Sequence, residues 1–214
     1  MNQNWMELKK NLAREISLGL ADIGSMKFGD FTLTSGKWSP FYLDLRIVPS
    51  FPSFFDKVTD CYVDIIKNEI GDAVDRIAGV LTAGVPIATL VSYKLKKPLI
   101  YVRRETKAHG AKKQIEGVLN KDDKVVVIDD LVTSGGSVLD ATKAIRNNGA
   151  HVEHVVVLID RQQGAKENLS AIDVKLHSLM TVTELVTFLY NQNKLSKDKY
   201  NIIMDYLRRE QGEV

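Results

Sequence analysis

Apolar residues along the chain alternate between helical and strand spacing, which predicts a mixture of helices and strands. A helical stripe opens the chain and is formed by Trp5, Leu8, Leu12, Ile16 and Leu20. Gly24 follows at a position typical of a helix end. Residues 26–46 instead alternate apolar and polar positions around a turn-like segment at 34–37, and this pattern predicts a β-hairpin. A second helical stripe lies within residues 54–66.

The rest of the chain predicts a parallel sheet covered by helices. Short apolar runs, typical of strands buried on both faces, lie at 76–81, 98–102, 125–128, 151–160 and 174–179. Helical spacing follows several of them, and two closing helices are expected at 181–190 and 194–209. We therefore predict an α/β fold with a central, mostly parallel sheet. The hairpin belongs to a small N-terminal hood (about residues 1–46) on a core (about 47–214) within one domain of 214 residues.

The most informative stretch is 125–137. Four apolar residues are followed by Asp129 and Asp130, and then by a hydroxyl-rich turn that contains Gly135 and Gly136. Glycines let backbone N–H groups approach an anion, and the N-terminus of the next helix adds partial positive charge. The carboxylates would repel a phosphate but suit sugar hydroxyls or a hydrated Mg²⁺. The stretch therefore predicts a ligand in which a phosphate is joined to a ribose.

Composition narrows the function classes further. The net charge of +2 is too small to indicate a nucleic-acid partner, and no apolar run reaches the roughly 20 residues that a membrane span needs. The single cysteine, Cys61, cannot form an internal disulfide, which is typical of the cytoplasm. We expect Cys61 to be a core residue rather than a nucleophile.

The 125–137 stretch resembles the phosphoribosyl-pyrophosphate (PRPP) binding motif of the type I phosphoribosyltransferases. This resemblance implies that PRPP contacts the loop residues Asp129, Asp130, Leu131, Val132, Thr133, Ser134, Gly135, Gly136 and Ser137. The hairpin resembles the hood signature of orotate phosphoribosyltransferases and matches it at Phe28, Gly29, Phe31, Leu33, Ser35, Gly36, Ser39 and Pro40. Where many members carry a hood lysine this chain has Thr34, so that Lys27, Lys37 or backbone groups would have to substitute for it.

Residues 103–117 form a basic segment with five arginines and lysines against two glutamates. A charge run is usually a solvated surface, but the order of residues resembles the catalytic loop of the same family. Arg103, Lys107 and His109 match that loop, and Arg104 replaces a lysine. The resemblance implies that Lys107 and His109 are catalytic and that all four residues contact PRPP. It also implies a homodimer in which Arg103 reaches the neighbouring site.

Two further segments complete the expected site. Asp160-Arg161-Gln162 ends a predicted strand, where open α/β sheets bind ligands, and the guanidinium of Arg161 matches a carboxylate. In the family this arginine contacts orotate, with the hydroxyl of Thr133 as a second contact; a surface salt bridge is the alternative. The turn at 82–86 would face pyrophosphate through its backbone, since Ala83 stands where some members have a lysine.

The resemblance implies transfer of a 5-phosphoribosyl group from PRPP to orotate, which yields orotidine 5′-monophosphate and pyrophosphate in pyrimidine (UMP) biosynthesis. Mg²⁺ would be carried by PRPP and reach Asp129 or Asp130 through water, with no direct protein ligand. PRPP and orotate are then the partners, and neither nucleic acid nor a membrane is expected. Two alternatives remain at this point, namely a phosphoribosyltransferase for another base and a non-catalytic PRPP-sensing regulator.

Overall fold

The computed structural model describes residues 3–32, 36, 38–103 and 114–211. The helices are α1 (Gln3–Asp22), α2 (Pro52–Ile65), α3 (Gly84–Leu95), α4 (Gly136–Asn147), α5 (Ala165–Ser170), α6 (Val182–Asn191) and α7 (Lys197–Glu210). The strands are β1 (Met26–Thr32), β2 (Trp38–Leu43), β3 (Arg76–Val80), β4 (Leu99–Val102), β5 (Ile115–Glu116), β6 (Lys124–Ile128), β7 (Leu131–Val132), β8 (His151–Asp160) and β9 (Lys175–Thr181). A 3-10 helix at Leu45–Ser50 and a π-helical turn at Ile66–Ile70 were not expected from the sequence.

The predicted parallel sheet is confirmed. Its strands run in the order β5-β4-β3-β6-β8-β9, and every neighbouring pair is parallel except the short β4–β5 pair. The two-residue β7 pairs with β8 on the same side as β6, because β9 occupies the other side. Strand β7 therefore resumes the line of β6 after a break at Asp129 and Asp130. The sequence did not predict this second piece.

Both faces of the sheet are buried, as the uninterrupted apolar runs required. Val126 and Ile128 pack into a cluster with the hood, α1, α2, α6 and α7. Their neighbours Val125 and Val127 point to the other face and pack with α4 and α5. This alternation is the period-2 geometry of a strand, and it directs the carboxyl ends of β3, β6 and β8 to one edge. Along α1 the expected stripe is mostly buried, but Leu8 is exposed.

The hood is the predicted antiparallel hairpin of β1 and β2, with an irregularity in register between Phe28 and Phe31. It packs on the core through Phe41, which is fully buried and lies edge-on to the ring of Tyr206 in α7. Leu33, Thr34, Ser35 and Lys37, for which the sequence predicted roles in the hood, lie outside the described residues.

A buried polar network joins α1 to the sheet. The carboxylate of Glu69, in the π-helical turn, accepts hydrogen bonds from Lys9 (2.7 Å) and Trp5 (3.1 Å), and it contacts His177 of β9 at 2.8 Å. Burial would raise the pKa of Glu69, but the hydrogen bonds from these partners outweigh burial and lower the pKa to about 2. Among the described residues, no helix is long and apolar enough to cross a bilayer.

Candidate functional site

A cleft of about 660 Å³ opens at the carboxyl edge of the sheet. Three segments line it: the end of the hood at 42–46, the turn at 81–83 after β3, and residues 129–138 after β6. The sequence had assigned ligand contacts to the second and third of these segments. The described structure brings them together, and it adds the hood end as a third wall.

The acidic pair is fixed at the break between β6 and β7. The backbone N–H of Asp130 donates to the Asp129 carboxylate at 3.0 Å, and the N–H of Leu131 donates to the Asp130 carboxylate at 2.8 Å. The Tyr62 hydroxyl donates to the backbone carbonyl of Asp129 at 2.9 Å. Burial raises the pKa of the Asp130 carboxyl, despite the hydrogen bonds that lower it. Two preoriented carboxylates therefore face the cleft.

The glycine turn leads into α4 as predicted. Gly135 has a left-handed backbone (φ 84°) and precedes the first residue of the helix, a conformation that favours glycine. The first N–H groups of a helix have no partner within the helix, so this end of α4 can bind an anion. Helix α5 supports the turn from behind, since the Ala165 N–H donates to the Thr133 carbonyl (3.1 Å) and the Asn168 side chain donates to the Ser134 carbonyl (2.9 Å).

Gly84 allows α3 to begin against the acidic pair. A Cβ atom at this position would lie 2.5 Å from the carbonyl oxygen of Ile128 and 3.0 Å from the Cα of Asp129. Both neighbours are backbone atoms of the strand that carries the carboxylates, so neither can rotate away.

We expect Gly84→Ala to lower the free energy of unfolding by about 1–3 kcal/mol, because the added methyl group must displace a packed backbone. Gly136→Ala is the matched control, since a Cβ there meets no atom within 4 Å and alanine favours the helix. Denaturant unfolding of both variants measures the difference. Equal stability of the two proteins would contradict the close approach at Gly84.

Arg161 follows β8 and lies behind the hood rather than along the cleft wall. It is only 7% exposed, and its guanidinium carbon lies 5.0 Å from the centre of the Phe41 ring. Within the described part of the chain, its Nε and Nη2 atoms are buried without a hydrogen-bond partner, as is the hydroxyl of Tyr206. Burial lowers the pKa of Arg161. The alternative of a surface salt bridge at Arg161 is therefore wrong among the described residues.

Local hydrogen bonds fix the backbone of this segment. The Arg161 N–H donates to the Val132 carbonyl at 3.0 Å, which extends the pairing of β7 with β8. The Asp160 carboxylate accepts from the Gln162 N–H at 2.8 Å. Buried donors without partners usually indicate a missing ligand or water, and two N–H groups on one guanidinium match the two oxygens of a carboxylate.

The basic segment is described only at its ends. Arg103 follows β4, and its guanidinium lies 3.2 Å from the Glu116 carboxylate. Its backbone N–H donates to the Gln114 carbonyl at 2.9 Å, so the two ends of the segment are joined. Arg104, Lys107 and His109 lie outside the described residues.

Sequence reasoning missed one group in the cleft, formed by Tyr42, Asp44 and Arg46. The Arg46 Nε donates to Asp44 Oδ1 at 2.7 Å, and its Nη2 donates to Asp44 Oδ2 at 3.0 Å and to the Tyr42 hydroxyl at 2.7 Å. The hydrogen bond from Arg46 lowers the pKa of Asp44. Polar residues at every second position, at the end of an otherwise apolar strand, were the signal that could have revealed this group.

Comparisons with known proteins agree with this geometry. The family model described as the phosphoribosyl transferase domain matches residues 48–183. The orotate phosphoribosyltransferase of Sulfolobus acidocaldarius is 40% identical over 194 residues, which cover 91% of this chain and 96% of that protein. The crystal structure of orotate phosphoribosyltransferase from Aeropyrum pernix matches with a TM-score of 0.74 at 34% identity, covering 85% of this chain and 99% of that one. UMP synthase from Leishmania donovani matches with a TM-score of 0.83 at 34% identity, covering 92% of this chain and 42% of that one.

Proposed function

Because this chain belongs to the phosphoribosyl transferase family, we propose that it transfers the 5-phosphoribosyl group of PRPP to orotate. Relatives named orotate phosphoribosyltransferase, at 37–45% identity over most of the chain, support this activity and its role in pyrimidine biosynthesis. The observation that carries the choice of orotate is the buried guanidinium of Arg161, whose Nε and Nη2 have no partner among the described residues. Orotate has a carboxylate to offer, whereas adenine, hypoxanthine and uracil do not.

PRPP is proposed to occupy the cleft at the carboxyl edge of the sheet. The turn at 133–137 and the start of α4 bind the 5′-phosphate through backbone N–H groups. Asp129 and Asp130 hold the ribose hydroxyls, with Leu131 and Val132 forming the strand that fixes them. The support for this assignment is that these residues line one cleft and that their backbone is held by hydrogen bonds.

The reaction moves charge in a way that the chain can stabilise. The bond between C1′ and the diphosphate oxygen breaks, and its electron pair leaves with the diphosphate. A ring nitrogen of orotate, having lost its proton, forms the new bond to C1′. Cationic groups near the departing diphosphate lower the barrier to this separation. We assign that role to Arg103, Arg104, Lys107 and His109, with Lys107 and His109 as the catalytic pair.

Orotate is proposed to bind between the hood and the carboxyl end of β8. Its carboxylate accepts hydrogen bonds from Arg161, while Phe41 and Tyr206 form an apolar surround that strengthens the interaction. The hydroxyl of Thr133, which lines the cleft, is a second contact. The low exposure of the guanidinium implies that the hood must shift to admit the substrate.

Mg²⁺ is the proposed cofactor. Hard oxygen donors suit this ion, and the carboxylates of Asp129 and Asp130 lie next to each other in the cleft. We propose that the ion is carried by PRPP and that these carboxylates contact it through water. When bound, the ion would neutralise part of the diphosphate charge.

The assay is Mg²⁺-dependent loss of orotate absorbance in the presence of PRPP. We expect turnover with orotate and none with adenine, hypoxanthine or uracil under the same conditions. Turnover with one of those bases instead would favour a phosphoribosyltransferase for another base. Binding of PRPP without turnover of any base would favour a regulator.

The basic segment provides a separate prediction. Lys107→Ala should lower kcat roughly 10- to 100-fold, the range for losing one charge-assisted hydrogen bond to the departing diphosphate. Lys121→Ala is the control, because Lys121 is an exposed lysine outside the cleft. Steady-state kinetics at saturating orotate and PRPP measures kcat. Near-normal turnover of the Lys107 variant would make the basic segment an ordinary solvated surface.

Three further expectations belong to the same proposal. The protein acts as a homodimer in which Arg103 reaches the neighbouring site, and its chain forms a single catalytic domain. It acts in the cytoplasm, in keeping with a single buried cysteine. Sedimentation of the purified protein, followed by complementation between inactive Arg103 and Asp129 variants, tests the shared site.

A further inference from the structure

The charges along the cleft are unevenly distributed. The described residues that line it include three carboxylates, Asp44, Asp129 and Asp130, and a single cation, Arg46. A ligand with several phosphate groups would otherwise meet only uncharged groups and acidic side chains there. Arg46 is therefore the one described side chain of this lining that carries a positive charge.

Hydrogen bonds hold the guanidinium of Arg46 in place, but they engage only some of its N–H groups. Three of its five N–H groups are engaged, since Nε and Nη2 donate to Asp44 and Nη2 also donates to Tyr42. The two N–H groups of Nη1 have no partner among the described residues, and the side chain is 59% exposed. A cation already fixed by a carboxylate loses less conformational freedom when a ligand binds.

The position of Arg46 indicates which part of PRPP it meets. The 5′-phosphate has its own binding turn at 133–137, and the ribose hydroxyls have the acidic pair. The segment at 81–83 lines the same cleft as Arg46 and brings no charged side chain. Arg46 and Asp130 line the same cleft, and the charge of Arg46 opposes the rise in the pKa of that carboxyl.

We propose that Arg46 binds the diphosphate of PRPP through Nη1, with Asp44 and Tyr42 as the residues that position it. This assignment deepens the proposed function and rests on it. Arg46 then supplies a permanent cation for the leaving group from the hood side, in addition to the basic segment at 103–117. Because the contact exists in PRPP and in the released product, free pyrophosphate with Mg²⁺ is a suitable probe.

The test is calorimetric titration of pyrophosphate plus MgCl₂, and separately of ribose 5-phosphate, into Arg46→Gln. We expect the Kd for pyrophosphate to rise about 10- to 100-fold, the range for losing charge-assisted hydrogen bonds, and the Kd for ribose 5-phosphate to change less than threefold. Arg46→Lys, which keeps the charge without the fork, should lose less affinity. Arg14→Gln, an exposed arginine on α1, should leave both constants unchanged.

The outcomes separate this proposal from the function it rests on. Unchanged pyrophosphate affinity in Arg46→Gln would overturn the assignment even if the wild-type protein consumes orotate normally. Equal weakening of ribose 5-phosphate would also overturn it, because Arg46 would then serve the 5′-phosphate. Selective loss of pyrophosphate in a protein that consumes no orotate would uphold the diphosphate site and refute the proposed base. Thermal melts of the three variants establish that each one is folded.

Discussion

Arg161→Met is expected to lower kcat/KM for orotate by about 100- to 1000-fold while KM for PRPP changes less than threefold. A guanidinium that binds a carboxylate through two charge-assisted hydrogen bonds in a buried site accounts for a loss of this size. Methionine keeps most of the side-chain volume, so that Phe41 and Tyr206 retain a packing partner. Initial rates with one substrate saturating and the other varied separate the two effects.

The same variant should be at least as stable as the wild-type protein. The buried Nε and Nη2 of Arg161 have no hydrogen-bond partner among the described residues, and burying a charge without compensation is unfavourable. Removing it should raise the free energy of unfolding by about 1 kcal/mol or more. Arg208→Met is the control, since Arg208 is exposed and its nearest carboxylate oxygen, on Asp205, is 3.4 Å away. A destabilised Arg161 variant, or equal losses for orotate and PRPP, would mean that Arg161 holds the fold and not the base.

Asp130→Asn is expected to lower kcat/KM for PRPP by about 100-fold, because one of two preoriented carboxylates loses its charge and with it a charge-assisted hydrogen bond to the ribose. The amide oxygen can still accept the hydrogen bond from the Leu131 N–H, so the backbone break between β6 and β7 should persist. Asp140→Asn, at an exposed position on α4 outside the cleft, is the matched control and should retain full activity. Loss of activity in both variants would indicate a general charge effect.

The pH dependence of stability gives an independent test of Asp130. Burial raises the pKa of this carboxyl above its ordinary value, so the folded protein binds this proton more tightly than the unfolded chain. The contribution of this proton to the free energy of unfolding is fully present below the unfolded pKa near 4, and it is lost as pH rises through the folded pKa. Asp130→Asn should therefore be more stable than wild type at pH 7, with the difference shrinking in acid. Urea unfolding at pH 4 and pH 7 measures both values; a difference that grows in acid would contradict the raised pKa.

The sequence predicted the sheet and its covering helices because the spacing of apolar residues in a segment reflects how that segment is buried. Runs such as 125–128 must be buried on both faces, and a parallel sheet with helices on each side provides that burial. The turn at 133–137 was also predictable, since its glycines and hydroxyl residues have few other uses after a buried strand. These features depend on neighbours in sequence, and local reasoning was sufficient for them.

The features that escaped prediction depend on residues far apart in the chain. Strand β7 exists because Leu131 and Val132 meet β8, which a two-residue segment cannot reveal by itself. The hydrogen bonds of Arg46 to Tyr42 and Asp44 indicate a ligand contact only once the hood is seen to line the cleft. The surroundings of Arg161 depend on α7, about 45 residues later in sequence, since Tyr206 packs edge-on to Phe41, the ring beside the guanidinium. Sequence patterns could identify these residues as strand, cation or candidate ligand contact, but they could not show which distant residues lie beside them.

Helix α7 links base selectivity to residues that contact no substrate. Tyr206 lies edge-on to Phe41, and Glu210 accepts a hydrogen bond from Gln163, two residues after Arg161. A substitution that loosens either contact would therefore alter base selectivity from outside the cleft.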